Sequence, residues 1–110
     1  MPISSDLIRG HIDTIIMARL KKGDTYGYEI NKELRTRTNG RFEIKEATLY
    51  TAFRRLEEAR LISSYWGPNE GGARRRYYRL TKIGLSEFNR QLKDWQETRN
   101  VLDQLLDTED

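Results

Sequence analysis

The stretch "EATLYTAFRRLEEARLISSYWGPNEGGARRRYYRLT", Glu46 to Thr81, decides how this chain folds. Its first part places Leu49, Ala52, Phe53 and Leu56 on one side at helical spacing, while Ala47, Thr48, Thr51, Arg54, Arg55 and Glu58 point away. The spacing predicts a helix from Lys45 or Glu46 to Arg60, with one face for a core and one free for a partner. "LISSYW" and "ARRRYYRL" follow, rich in the aromatic and β-branched residues that suit strands, joined by "GPNEGG". A hairpin is expected, with a loop long enough to project as a flexible tip. Side chains alternate along a strand, so Arg75 and its neighbours Arg74 and Arg76 should leave on opposite faces.

Upstream, Ile8, Ile12, Ile15, Ile16 and Leu20 recur at helical spacing, predicting one helix over Leu7 to Leu20 with Ser4, Ser5 or Asp6 as N-cap. Gly23 and Asp24 break it. "TYGYEINKELRTRTNG" restarts with Tyr26, Ile30 and Leu34 on one side and ends at Asn39-Gly40, a pair suited to a left-handed C-terminal turn. Gly27 inside this second helix costs about 1 kcal/mol relative to Ala, which close packing against a neighbouring helix would explain.

Downstream, Thr81 is placed to cap a helix reaching Leu106. Along it Leu85, Phe88, Leu92, Trp95, Arg99, Leu102 and Leu106 alternate spacings of three and four, the repeat of a coiled-coil seam. At 1.5 Å per residue such a helix runs roughly 38 Å and would overhang a core this small. The stripe could pack on its own domain, but its length points to dimerisation through it.

Three helices followed by a two-stranded ribbon describe a winged helix-turn-helix. The expected fold is mainly α with a small β-hairpin: a winged helix-turn-helix over residues 1–80 plus a C-terminal dimerisation helix and acidic tail over 81–110. A helix entering the major groove presents short polar side chains to base edges, with longer cations for phosphates. Thr48, Thr51, Arg54 and Arg55 suit that role. Tyr50 could bond a phosphate through its hydroxyl or be a half-buried core tyrosine. Arg74, Arg75 and Arg76 on the wing would meet the flanking backbone or minor groove.

The bulk numbers agree. A chain of 110 residues with 36% hydrophobic residues has the size of one domain. It has no cysteine, which excludes disulfides, thiolate metal sites and cysteine nucleophiles. The N-terminus lacks the pattern of a secretion signal and no run is long enough to span a membrane, so a cytoplasmic protein is expected. The net charge of +3 is uneven: residues 32 to 82 carry thirteen Lys/Arg against six Asp/Glu, and residues 83 to 110 carry three against seven. Chance clustering on solvated faces is one explanation for the basic middle; an electrostatic footprint for a polyanion is the other.

Taken together, "GDTYGYEI", "EATLYTAFRRLEEARLISSYW" and "GGARRRYYRLTKIG" resemble the short subfamily of PadR-type transcriptional regulators along the whole chain. That resemblance implies a repressor whose third helix enters the major groove while the wing touches the flanking backbone. The likeness runs most to the multidrug-responsive members, which carry a tryptophan on the last helix at the dimer interface. Trp95 in "LKDWQETR" matches that position, so it could stack a planar aromatic effector or merely fill the seam. Arg99, one turn later, could disfavour a cationic ligand and favour an anionic or neutral one.

The expected partners are therefore duplex DNA with a pseudopalindromic operator, a second copy of the chain and a small planar aromatic. No cofactor or metal is expected. The alternative is a winged-helix module that binds an acidic protein. Enzymatic chemistry finds little support: the single histidine, His11, lies on a helical segment and suits a surface or interface position.

Overall fold

In the computed structural model, residues 5–68, 72 and 74–109 are described. The order is α1 (Ser5–Arg9), α2 (Ile12–Lys21), α3 (Gly27–Arg37), α4 (Glu46–Glu58), β1 (Ile62–Trp66), β2 (Arg76–Leu80) and α5 (Lys82–Leu106). The mainly helical fold with one antiparallel hairpin and a long last helix is the winged-helix arrangement expected.

The first helix is divided. Its periodicity runs through Gly10 and His11, yet the backbone breaks there: His11 has φ −110° and its N–H bonds the Ile8 carbonyl at 2.7 Å. Glycine weakens the helix where a tight turn can replace it. Of the expected N-caps, Ser4 lies outside the described residues.

α3 ends as its sequence predicts, with Asn39 and Gly40 both left-handed and the Gly40 N–H on the Arg35 carbonyl at 2.8 Å. A Cβ on Gly27 would stand 3.1 Å from the Tyr50 hydroxyl and 3.2 Å from Leu49 Cδ2, so the close approach of α4 accounts for this glycine. Asn31 adds a second tie, bonding both the carbonyl and the N–H of Ile44 just before α4 at 2.7 and 2.8 Å.

The core gathers residues from every element but α1: Ile16, Met17 and Leu20 of α2, Ile30 of α3, the apolar face of α4, Ile62, Tyr78 and Phe88, with Ile44 from the segment before α4. Leu49, Ala52, Phe53 and Leu56, the four residues whose spacing defined α4, are all buried. Phe53 stacks on Tyr78 with ring centroids 3.9 Å apart, locking α4 to the hairpin. Thr25 and Tyr78 exchange backbone hydrogen bonds of 3.3 and 2.8 Å, which ties the turn before α3 to β2.

The hairpin pairs Ile62 with Leu80 through to Trp66 with Arg76. β2 is shorter than the sequence suggested, starting at Arg76. Beyond Trp66 one more bond forms, from the Gly67 N–H to the Arg75 carbonyl at 2.8 Å, and then Pro68 offers no N–H to continue the ladder. The expected flexible tip falls mainly on Asn69, Glu70 and Gly71, outside the described residues.

Thr81 caps α5 by accepting from the Gly84 N–H at 3.0 Å, while its hydroxyl faces the Arg60 and Leu61 carbonyls. Gly84 is packed so tightly that a Cβ there would lie 1.9 Å from the Leu61 carbonyl oxygen. The beginning of α5 thus belongs to the same core as the hairpin, and a division at residue 80 falls at a turn rather than at a gap in packing. The far half leaves that core, and the molecule measures 63 × 33 × 21 Å.

Candidate nucleic-acid interface

Because α4 spends its apolar face on the core, Ala47, Thr48, Thr51, Arg54, Arg55 and Glu58 face outward as the spacing required. Thr48, Thr51 and Arg55 line one surface groove of about 340 Å³, shared with Ala47, Arg9 and Ile12. Short hydroxyls flanked by arginines are a suitable set for base edges and phosphates. Arg54 makes no hydrogen bond or ion pair among the described residues.

Arg55 differs. It donates through Nε and Nη2 to the two carboxylate oxygens of Asp13 on α2, at 3.2 and 2.5 Å. That hydrogen bonding raises the Arg55 pKa above its ordinary value. The sequence placed Arg55 among free cations, but the turn of chain that brings α2 against α4 supplies it with a carboxylate.

Tyr50 is partly exposed at α4's edge, its ring meeting Phe53 edge-on at 5.6 Å. It shares a second groove with Tyr28, Lys45 and Gly27, where α3 and α4 both begin. Neither helix has a side-chain cap at its N-terminus. Two helix N-termini without side-chain caps therefore open on a groove whose charged lining is Arg35 and Lys45 with Glu43 and Glu46.

The wing arginines divide as alternation predicts, although only Arg76 lies in the strand. Arg74 and Arg76 both sit over the Trp66 ring, at 5.7 and 5.3 Å. Arg75 takes the other side, 4.6 Å from the Tyr26 ring and 5.9 Å from that of Tyr28. Arg76 is further occupied, donating to Ser64 at 2.7 Å with Glu57 at 3.9 Å. Arg75 is thus the wing cation that bridges toward the α3 and α4 N-termini, held by cation–π stacking with both tyrosines.

At the opposite side, α5 crosses α1 and α2 over an open groove of about 850 Å³ with a mostly apolar lining that includes Leu7, Ile15, Leu92, Trp95 and Leu102. Trp95 is 39% exposed and His11, at the α1–α2 break, meets it edge-on at 4.9 Å. The expected seam divides along its length. Phe88 is only 6% exposed and fills the chain's own core, and Leu92 packs against that core, because α5 lies on α2 there. Leu85 is partly exposed, and Leu102 and Leu106 are 44% and 72% exposed. Arg99 lies outside the groove, whose charged side chain is instead Asp94, one position before Trp95. Arg90 pairs with that carboxylate at 2.9 Å and with Glu87 at 2.6 Å. Arg90 and then Gln91 hold the Glu87 pKa down at about 2.

Comparison with known proteins decides the family: residues 16–90 match the model of the transcriptional regulator PadR-like family. The chain belongs to the PadR-like family of transcriptional regulators. A solved transcriptional regulator from Clostridium thermocellum is similar at 45% identity and a TM-score of 0.86, covering 94% of this chain and 98% of its own. A PadR family transcription regulator from Clostridium difficile R20291 is similar at 38% identity and a TM-score of 0.76, covering 87% and 98%. An uncharacterized protein from Lysinibacillus sphaericus is 43% identical over 105 residues, 96% of either chain.

Within this PadR-like chain, sequence reasoning missed Arg9, Tyr28, Lys45 and Asp13. Tyr28 was legible in principle, as a large aromatic on the polar side of α3. Asp13 was not, because only the packing of α2 on α4 puts it beside Arg55. Among the described residues no group of His, Asp or Glu is placed to hold a metal ion, and no helix is long and apolar enough to cross a membrane.

Proposed function

We propose that this PadR-like regulator acts as a homodimeric repressor on duplex DNA, with α4 reading the major groove and the wing gripping the flanking backbone. The observation that carries this is the division of α4: an apolar face wholly consumed by the core under an outward face of threonines and arginines. Thr48 and Thr51 are the base-reading residues in this scheme. Arg54, Arg74, Arg75 and Arg76 with Tyr50 engage the backbone, and the open N-termini of α3 and α4 add anion-binding donors.

Dimerisation uses the far half of α5, where Trp95, Leu102 and Leu106 remain uncovered, along with Leu85 nearer its start. Phe88 and Leu92 support that helix from within rather than forming the seam. Two heads related by a two-fold axis require a pseudopalindromic operator with half-sites about one helical turn apart. A planar aromatic effector, as in the multidrug-responsive members that the sequence resembles, stacks on Trp95 in the α1–α2–α5 groove. It releases DNA by favouring a head spacing the operator does not fit, to the extent of its differential affinity for the two states. With Arg99 off the groove and Asp94 on it, nothing in the lining favours an anionic ligand.

Selection of duplexes from a random pool at about physiological salt tests the reading, because non-specific binding is already weak there. A two-fold symmetric motif is expected; no enrichment would favour a protein-binding module instead. On the selected duplex, Arg75→Ala should weaken binding to all sequences and lower the salt slope by about one unit per protomer. Thr51→Ala should change preference at one or two base positions. A uniform loss would remove Thr51 from base readout.

A further inference from the structure

The two arginines that α4 turns outward are neighbours in sequence but not in chemistry. Arg54 has no hydrogen-bonding or ionic partner among the described residues. Arg55 is clasped side-on by the Asp13 carboxylate, which is itself the more covered of the two, 29% against 55% exposed. A two-bond guanidinium–carboxylate pair fixes orientation as well as charge. It also offsets part of the cation's field, so a phosphate gains less from Arg55 than from an unpaired arginine. The pair consumes two of the five guanidinium N–H donors and leaves three for another acceptor. Arg55 meanwhile lines the same groove as Thr48 and Thr51, the base-reading pair.

We infer that Asp13 is a positioning residue for recognition: it withholds Arg55 from the phosphates and holds its remaining donors toward a base edge. The inference rests on the proposal that α4 enters duplex DNA. Its physical sense is that a loose arginine binds any backbone, whereas one immobilised beforehand loses less rotamer freedom on docking and can form a bidentate contact of the kind guanine accepts. Asp13 therefore trades general affinity for selectivity. A carboxylate on the edge of a DNA-binding face, unfavourable for phosphates by itself, gains a reason to be there.

The test compares the full-length dimer with its Asp13→Asn, Arg55→Gln, Arg55→Lys and doubly substituted Asp13→Asn/Arg55→Gln forms, each on the selected duplex and on a scrambled one across a salt series. Asp13→Asn is expected to raise scrambled-duplex affinity, steepen the salt slope by about 0.9 per protomer and lower the specificity ratio roughly fivefold or more. In the Arg55→Gln background the same substitution should do none of this. Arg55→Lys keeps the charge but cannot form the two-bond pair, so it should lower the ratio as well, which covers the case of an Asp13 variant that folds poorly. Unchanged slope and ratio in Asp13→Asn would overturn the role, as would an effect that persists without Arg55, which would mean plain repulsion between carboxylate and phosphate. A wild-type protein with no selective, salt-dependent binding would remove the DNA reading itself and this inference with it.

Discussion

α4 and α5 are both amphipathic, yet their apolar faces meet opposite fates. Leu49, Ala52, Phe53 and Leu56 of α4 are all buried within its own chain, and what remains outside is mostly polar or charged. Along α5 the stripe opens at a partly exposed Leu85, enters the core at Phe88, is 39% exposed by Trp95 and 72% exposed at Leu106. A helix whose apolar face is already satisfied has only a polar surface to offer. A helix that outruns its core offers apolar surface, and that surface needs a second apolar partner. Periodicity looked similar in the two; the size of the core made them different.

The comparison can be broken most forcefully at Phe53. Phe53→Ala should cost about 3–5 kcal/mol, because the cavity opens between α4 and the Tyr78 ring. Denaturant titration reads this directly, and a cost under about 1 kcal/mol would mean that α4 is not anchored as described. Next, Gly84→Ala should destabilise by about 1–3 kcal/mol. In an open helix the same change would stabilise by about 1 kcal/mol. The sign alone, read from the thermal midpoint, tells whether the start of α5 belongs to the core.

Leu102→Asp should leave the chain's own fold within about 0.5 kcal/mol of the parent, as an exposed substitution does. On the proposed dimerisation through α5, sedimentation equilibrium should then read a monomer for the variant and a dimer for the parent. Loss of helicity along with mass would place the tip of α5 in the chain's own fold instead. The smallest effect concerns Glu87, held at about 2 by Arg90 and Gln91 against an ordinary 4.5. A depressed carboxylate pKa contributes stability that is present above the ordinary value and lost as pH falls from about 4.5 through 2. Glu87→Gln should flatten the acid limb of the stability curve in that window and lower stability slightly at neutral pH, where the contribution is fully present, with the two proteins converging below about pH 2.

Glu87 also shows how local sequence connects to packing. Gln91 donates to Glu87 at 2.8 Å and is hydrogen-bonded by Thr14 of α2. The i,i+3 and i,i+4 spacings on α5 were visible in the sequence, but the tie to α2 was not.

By itself the sequence determined the parts whose physics is local. The apolar spacing of α4, the left-handed Asn39-Gly40 end, the Thr81 cap, the strands on either side of "GPNEGG" and the alternation of Arg74, Arg75 and Arg76 all depend on residues close along the chain. Tertiary structure decided whatever depended on distant segments meeting. It broke the first helix at Gly10, so that His11 meets Trp95; it drew Phe88 and Leu92 into the core; and it left Arg99 outside the groove while turning Asp94 into it. It also set Asp13 against Arg55, forty-two positions away. Periodicity assigns a face to each side chain, but only the packing of one helix on another determines what that face will touch.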